Sequence, residues 1–98
     1  MRKIKKSAYA GTLESSDAFI QIEPIDEDKI KIELQSSVEE MYGDDIRELI
    51  KKIIKELDIS YISVKVQDKG ALDYVIKARL QAAILRANED EKIEWDKL

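Results

Sequence analysis

Ile46, Leu49, Ile50, Ile53, Ile54 and Leu57 stand at offsets 0, 3, 4, 7, 8 and 11 within the segment Gly43 to Leu57, a spacing that puts all six side chains on one face of an α-helix. A stripe this continuous has to cover another apolar surface. Asp44, Asp45 and Glu48 fall near its start and Lys51, Lys52 and Lys55 further along, the order that the helix dipole favours. A second stripe runs from about Ala71 to Ala87 through Leu72, Val75, Ile76, Leu80, Ala83, Ile84 and Ala87, with Asp68 as candidate cap and Asp73 as first-turn acid. Arg79 interrupts this stripe. Either its stem packs while its head reaches solvent or a carboxylate, or it is itself a cation held near a prosthetic group or a partner subunit.

The surface those helices cover is marked by alternation. Ile30, Ile32 and Leu34 alternate with Lys29, Lys31, Glu33 and Gln35, and Ile62, Val64 and Val66 with Tyr61, Ser63, Lys65 and Gln67, so both runs are expected as half-buried strands. Ala18, Ile20 and Ile22 alternate with Phe19, Gln21 and Glu23 before Pro24, and the weaker stretch Ala8 to Leu13 can pair with them as a hairpin. The order is β-β-β-α-β-α. The fold class predicted is α+β: a two-layer α/β sandwich, a mixed four-stranded sheet with two helices on one face, in which residues 29 to 67 form a right-handed strand-helix-strand crossover.

At 98 residues, 44% hydrophobic and 39% charged, the chain has the length and balance of one domain, and no stretch reaches the roughly 20 apolar residues of a membrane span. MRKIKKS lacks the apolar region of a signal peptide, which makes the cytoplasm the expected location. The division expected is a basic arm at 1–7, a main domain at 8–87 and an acidic tail at 88–98. Arg2, Lys3, Lys5 and Lys6 give the arm +4, leaving residues 8–98, with 13 basic and 21 acidic side chains, at −8. Such an acidic body argues against nucleic acid and suits docking on basic protein surfaces. The arm is expected to be solvated, as chain ends often are.

Zero Cys and zero His exclude thiolate nucleophiles, disulfides, imidazole bases and most transition-metal sites. A serine without such a base is a poor nucleophile, so no catalytic residue is assigned, yet its hydroxyl can still be modified by another enzyme. The acid runs Asp44-Asp45 and Glu89-Asp90-Glu91 are expected to be solvated, no metal site is assigned, and the lone glycines at 11, 43 and 70 make no phosphate loop. In the tail, Ile93 and Trp95 can pack on the domain or on a partner.

Ala10-Gly11-Thr12-Leu13-Glu14-Ser15-Ser16-Asp17 lies between the first two strands, and on physical grounds alone it is a polar hairpin turn. The segment AGTLESSD also resembles the serine segment of the acyl carrier protein, or gamma subunit, of citrate lyase. Gln35-Ser36-Ser37-Val38-Glu39, Tyr42-Gly43-Asp44-Asp45-Ile46-Arg47 and Asp68-Lys69-Gly70-Ala71-Leu72-Asp73 with Lys77-Ala78-Arg79-Leu80 look like further blocks of that family, in order, between about Ala8 and Ala87. The resemblance implies that Ser15 is the covalent attachment point of a phosphoribosyl-dephospho-coenzyme A group, joined through a phosphodiester by a separate attaching enzyme. Ser16 stands where the family pattern often has glycine. The resemblance further implies a non-catalytic subunit whose arm carries acetyl and citryl thioesters between the alpha and beta subunits of citrate lyase, which together cleave citrate to acetate and oxaloacetate. The coenzyme A-derived arm would bring the thiol that this chain lacks.

Three other readings stand beside this one. A carrier subunit of malonate decarboxylase or of a citramalate-type lyase would use a related arm. A phosphopantetheine carrier of the four-helix kind fits less well, because Ser15 lies between strands. A cofactor-free interaction module would share the pattern and the acidic surface.

Overall fold

The computed structural model describes residues 3–36 and 39–88. Its elements are β1 (Ala8–Gly11), β2 (Ala18–Pro24), β3 (Ile30–Ser36), α1 (Glu39–Glu56), β4 (Ile62–Asp68) and α2 (Asp73–Ala87), the expected order. The sheet runs β1-β2-β4-β3. β1 and β2 form an antiparallel hairpin, β2 pairs antiparallel with β4, and β3 pairs parallel with β4 across the α1 crossover.

Register explains why one face is apolar. Ala10, Ile20, Val66 and Leu34 stand in one row across the four strands, and Ala8, Ile22, Val64 and Ile32 in the next. Strand side chains alternate between faces, so these rows share a side. Against it, α2 covers β1 and β2, α1 covers β3, and the helices touch each other. From α1 the stripe contributes Ile46, Ile50, Ile53 and Ile54, all buried, with Leu49 and Leu57 packed at the margin; from α2 it contributes Ile76, Leu80, Ala83, Ile84 and Ala87.

Several local expectations are corrected. β4 is not half-buried, because it lies between two neighbours: Ser63, on its outward side, is only 4% exposed, flanked in register by the longer Glu23 and Lys31. α1 starts four residues before Gly43. Leu72 does not join the α2 stripe; it is the N-cap, in extended conformation and 61% exposed. Asp68 does not cap that helix. It closes β4 instead, its Oδ1 accepting the Ala71 N–H at 2.8 Å and its Oδ2 the Ser36 hydroxyl at 2.8 Å.

The N-terminal segment also departs from expectation. Ile4 is buried in the core, the Lys5 N–H donates to Asn88 Oδ1 at 3.2 Å, and the Lys3 ammonium sits 4.1 Å from the Tyr61 ring centroid. An apolar side chain between basic neighbours finds cover while their heads stay wet. Arg2, Glu89-Asp90-Glu91, Ile93 and Trp95 lie outside the described residues. Among the described residues no helix is long and apolar enough to cross a membrane.

Candidate functional site

Ser15 is exposed in the loop between β1 and β2, and the conformation of that loop is fixed from both ends. Gly11 ends β1 with φ +98°, where an added Cβ would collide with the carbonyl oxygen of Ala18. Only glycine serves there. The chain then folds into a turn in which the Asp17 N–H donates to the Glu14 carbonyl at 3.1 Å, with Ser15 and Ser16 as the central residues. Ser16 has φ +65°, in the left-handed region that glycine enters freely and serine does not.

Asp17 is the anchor of the turn. Its Oδ1 accepts from Arg79 Nε at 2.9 Å and from the Ala18 N–H at 2.7 Å, while its Oδ2 accepts from Arg79 Nη2 at 2.8 Å and from Thr12 Oγ1 at 2.7 Å. Thr12 Oγ1 in turn accepts the Glu14 N–H at 3.2 Å. The forked guanidinium bonds, with the Thr12 hydroxyl adding to them, hold the Asp17 carboxyl well below the usual carboxylate range. The same pairing pushes the Arg79 guanidinium up. Arg79 therefore satisfies a carboxylate, the first of its two expected roles, and that carboxylate belongs to the serine loop.

A second tether comes from the β4–α2 loop. The Ser16 N–H donates to the Lys69 carbonyl at 2.8 Å, and the Lys69 N–H donates to the Asp17 carbonyl at 2.9 Å. Register extends the contact inward: Ala18, Asp68 and Ser36 occupy one row of the sheet, joined on its far side by the Ser36–Asp68 hydrogen bond. Sequence segments around residues 10–17, 35–36, 68–73 and 77–80 thus meet at one end of the molecule. Leu13, Leu72 and Tyr74, 56, 61 and 70% exposed, lie in or next to these loops.

Asp44 is fully exposed and pairs with Arg47 at 3.6 Å one helical turn on, solvated as expected although it lies within α1 and not at its end. Missing from the sequence reading were Thr12, Asp17 and Lys69 as partners of the serine turn. The available signal was an unpaired arginine in an apolar stripe and an aspartate closing a polar stretch, but nothing in their 62-residue separation joined them.

A small α+β sandwich that presents an exposed serine on a hydrogen-bonded hairpin turn has a form that suits a carrier domain. The family model described as "ACP: Malonate decarboxylase delta subunit (MdcD)" matches residues 5–87. Curated relatives named citrate lyase acyl carrier protein are 42% identical in Clostridium perfringens, covering 95% of this chain and 92% of the relative, and 44% identical in Vibrio cholerae, covering 98% of each. A relative in Salmonella paratyphi A, named citrate lyase acyl carrier protein 2, is 45% identical over 98% of this chain and 99% of its own. The chain belongs to the citrate lyase acyl carrier protein family. A chain in the crystal structure of a Pseudomonas malonate decarboxylase hetero-tetramer shares the fold, with TM-score 0.75 over 85% of this chain and 84% of that one at 22% identity.

Proposed function

We propose that this chain is the acyl carrier subunit of a citrate lyase, a cytoplasmic protein that carries acetyl and citryl thioesters on a phosphoribosyl-dephospho-coenzyme A group attached to Ser15. One observation carries the site assignment: Ser15 is exposed at the centre of a turn whose other residues are engaged in hydrogen bonds. Its hydroxyl is open to an attaching enzyme. Ser16 is exposed as well, but its backbone is committed to Lys69 and to a left-handed conformation, whereas Ser15 has no such constraint among the described hydrogen bonds.

The residues fit such a group. Ser15 would hold it as a phosphodiester, and exposed Lys69, on the loop bonded to Ser16, supplies a cation for that end of the domain. The group supplies a thiol, the acyl-carrying function that a chain without cysteine cannot provide. This chain's own residues fix where the arm begins. The alpha and beta subunits of the lyase and the attaching enzyme are the partners of this reading, and residues 8–87 are its carrier unit, flanked by segments 1–7 and 88–98. A malonate decarboxylase carrier is the second reading, favoured by the description of the matching family.

Intact mass and peptide mapping of Ser15→Ala and Ser16→Ala, each co-expressed with the attaching enzymes, test the proposal. Ser15→Ala is expected to lack the arm, and Ser16→Ala to carry it on Ser15. An arm mapped to Ser16 in the first variant would move the site, and wild-type chain without any arm would remove the carrier reading.

A further inference from the structure

A serine-rich hairpin loop is ordinarily a mobile one, and a carrier that visits several active sites invites the assumption that its loop swings. The geometry here is the opposite. Four hydrogen bonds converge on the Asp17 carboxylate, two of them from a guanidinium carried 62 residues away on α2. Three backbone bonds tie Ser16 and Asp17 to Glu14 and to Lys69. Asp17 is only 13% exposed while the rest of the turn lies open, so its side chain is an inward anchor and not a surface acid.

We propose that Arg79 is a positioning residue for the modification of Ser15. It locks the serine turn into one conformation before any enzyme meets it. The inference rests on the carrier reading above. Its physical basis is where the cation is mounted. Ile76, Leu80 and Ala83, three or fewer positions away on either side or one turn on, are fully buried, so the backbone that carries Arg79 is held by the core. A planar fork on a fixed helix transmits that rigidity to the carboxylate it grips, which a single-point ammonium does less well.

Without the clamp, the loop from Thr12 to Asp17 would lose the two bonds that fix it to a core helix, and only the local Thr12 and Ala18 bonds to Asp17, the turn and the Lys69 bonds would oppose departure from the left-handed conformation at Ser16. An enzyme that reads the turn would then have to order several residues on binding. Each ordered residue costs backbone entropy, so even partial loosening weakens recognition. The loss falls on binding, because Arg79 acts through Asp17 and not on the Ser15 hydroxyl. A consequence for the working carrier is that reach between active sites comes from the attached arm and from motion of the whole domain, with the loop as a fixed pivot.

The test compares apo wild-type chain with Arg79→Gln, Arg79→Lys and Asp17→Asn as substrates of the attaching enzyme, alongside amide hydrogen exchange. For Arg79→Gln and Asp17→Asn, KM for the carrier is expected to rise about tenfold or more while kcat stays within about twofold, the signature of lost ground-state recognition. Ser16 and Lys69 amides should exchange faster, with the Leu80 and Ile84 amides still protected, which separates loop release from unfolding. Arg79→Lys should recover part of the loss. Should Arg79→Gln fail to fold, Asp17→Asn, which keeps the side-chain shape while removing the charge and turning one acceptor oxygen into a donor, decides alone. Variants folded and loaded with wild-type KM would overturn this inference while leaving Ser15 as the site; wild-type chain that is never loaded would overturn the carrier reading, and this inference with it.

Discussion

Ser16 shows how a single backbone angle can say more about a site than the side chain it carries. Its φ of +65° costs an L-residue about 1 to 2 kcal/mol relative to the right-handed regions, and the turn keeps it there through the Glu14–Asp17 and Ser16–Lys69 bonds. The resemblance to the acyl carrier family leads to an expectation of glycine here, and the angle supplies a physical reason for it. Ser16→Gly is accordingly expected to raise stability by about 0.5 to 1 kcal/mol, the relief of the left-handed strain being partly offset by glycine's greater freedom in the unfolded chain. Chemical denaturation measures it, and the variant should still be modified on Ser15. A destabilised Ser16→Gly would mean that the serine hydroxyl, not the backbone, shapes the turn. Neither the angle nor the Asp17–Arg79 grip could be read from residue types. A sequence states which polar groups are near in number, and these are near only in space.

At the scale of elements, apolar periodicity was legible where burial is one-sided and misleading where it is not. α1 presents a clean amphipathic stripe because one face meets β3 and α2 and the other meets water, so Ile46, Ile50, Ile53 and Ile54 could be assigned to the core from spacing alone. Truncation there is expected to cost about 2 to 5 kcal/mol, as for other buried aliphatic residues, for Ile50→Ala or Ile54→Ala, against less than about 0.5 kcal/mol for Lys51→Ala on the wet face. Urea midpoints of the three variants check the helix orientation, and equal losses at both kinds of position would contradict it. For β4 alternation underestimated burial, because pattern reports which face a side chain takes and not how many strands lie on either side. Its central place follows from topology: the parallel β3–β4 pair needs a crossover, and the β1–β2 hairpin then adds at the free edge of β4. The start of α2 was blurred for a related reason. Leu72 fits the helical spacing yet precedes the helix, and Asp68, with the chemistry of a cap, is engaged with Ser36 and Ala71.

Across the whole molecule, the two functional requirements of a carrier are met by separate parts. The site end gathers the hairpin loop, the β4–α2 loop and the Ser36–Asp68 bond, and the opposite contributions close the core, where the N-terminal segment returns to the end of α2 through Lys5 and Asn88. The basic charges of residues 2–6 hid this second feature from the sequence, since an isolated Ile4 gives no periodic signal. With both apolar layers complete in the unmodified chain, apo protein is expected to unfold in a single cooperative transition without its arm. Ile4 is the sharper probe of that closure. It is 4% exposed within the core cluster, so Ile4→Ala should cost about 2 to 4 kcal/mol, the range of a truncated buried aliphatic side chain, despite its place four residues from the chain start. Thermal unfolding of the apo variant measures the loss, which at about 4 to 8 °C per kcal/mol for a chain of this size is a shift of well over about 5 °C. The proposed modification of Ser15 should be unaffected below the new midpoint, because Ile4 belongs to the core cluster while the serine turn is held by hydrogen bonds to Asp17 and Lys69. An Ile4→Ala chain as stable as wild type would return the N-terminal segment to the solvated arm that its charge alone predicts.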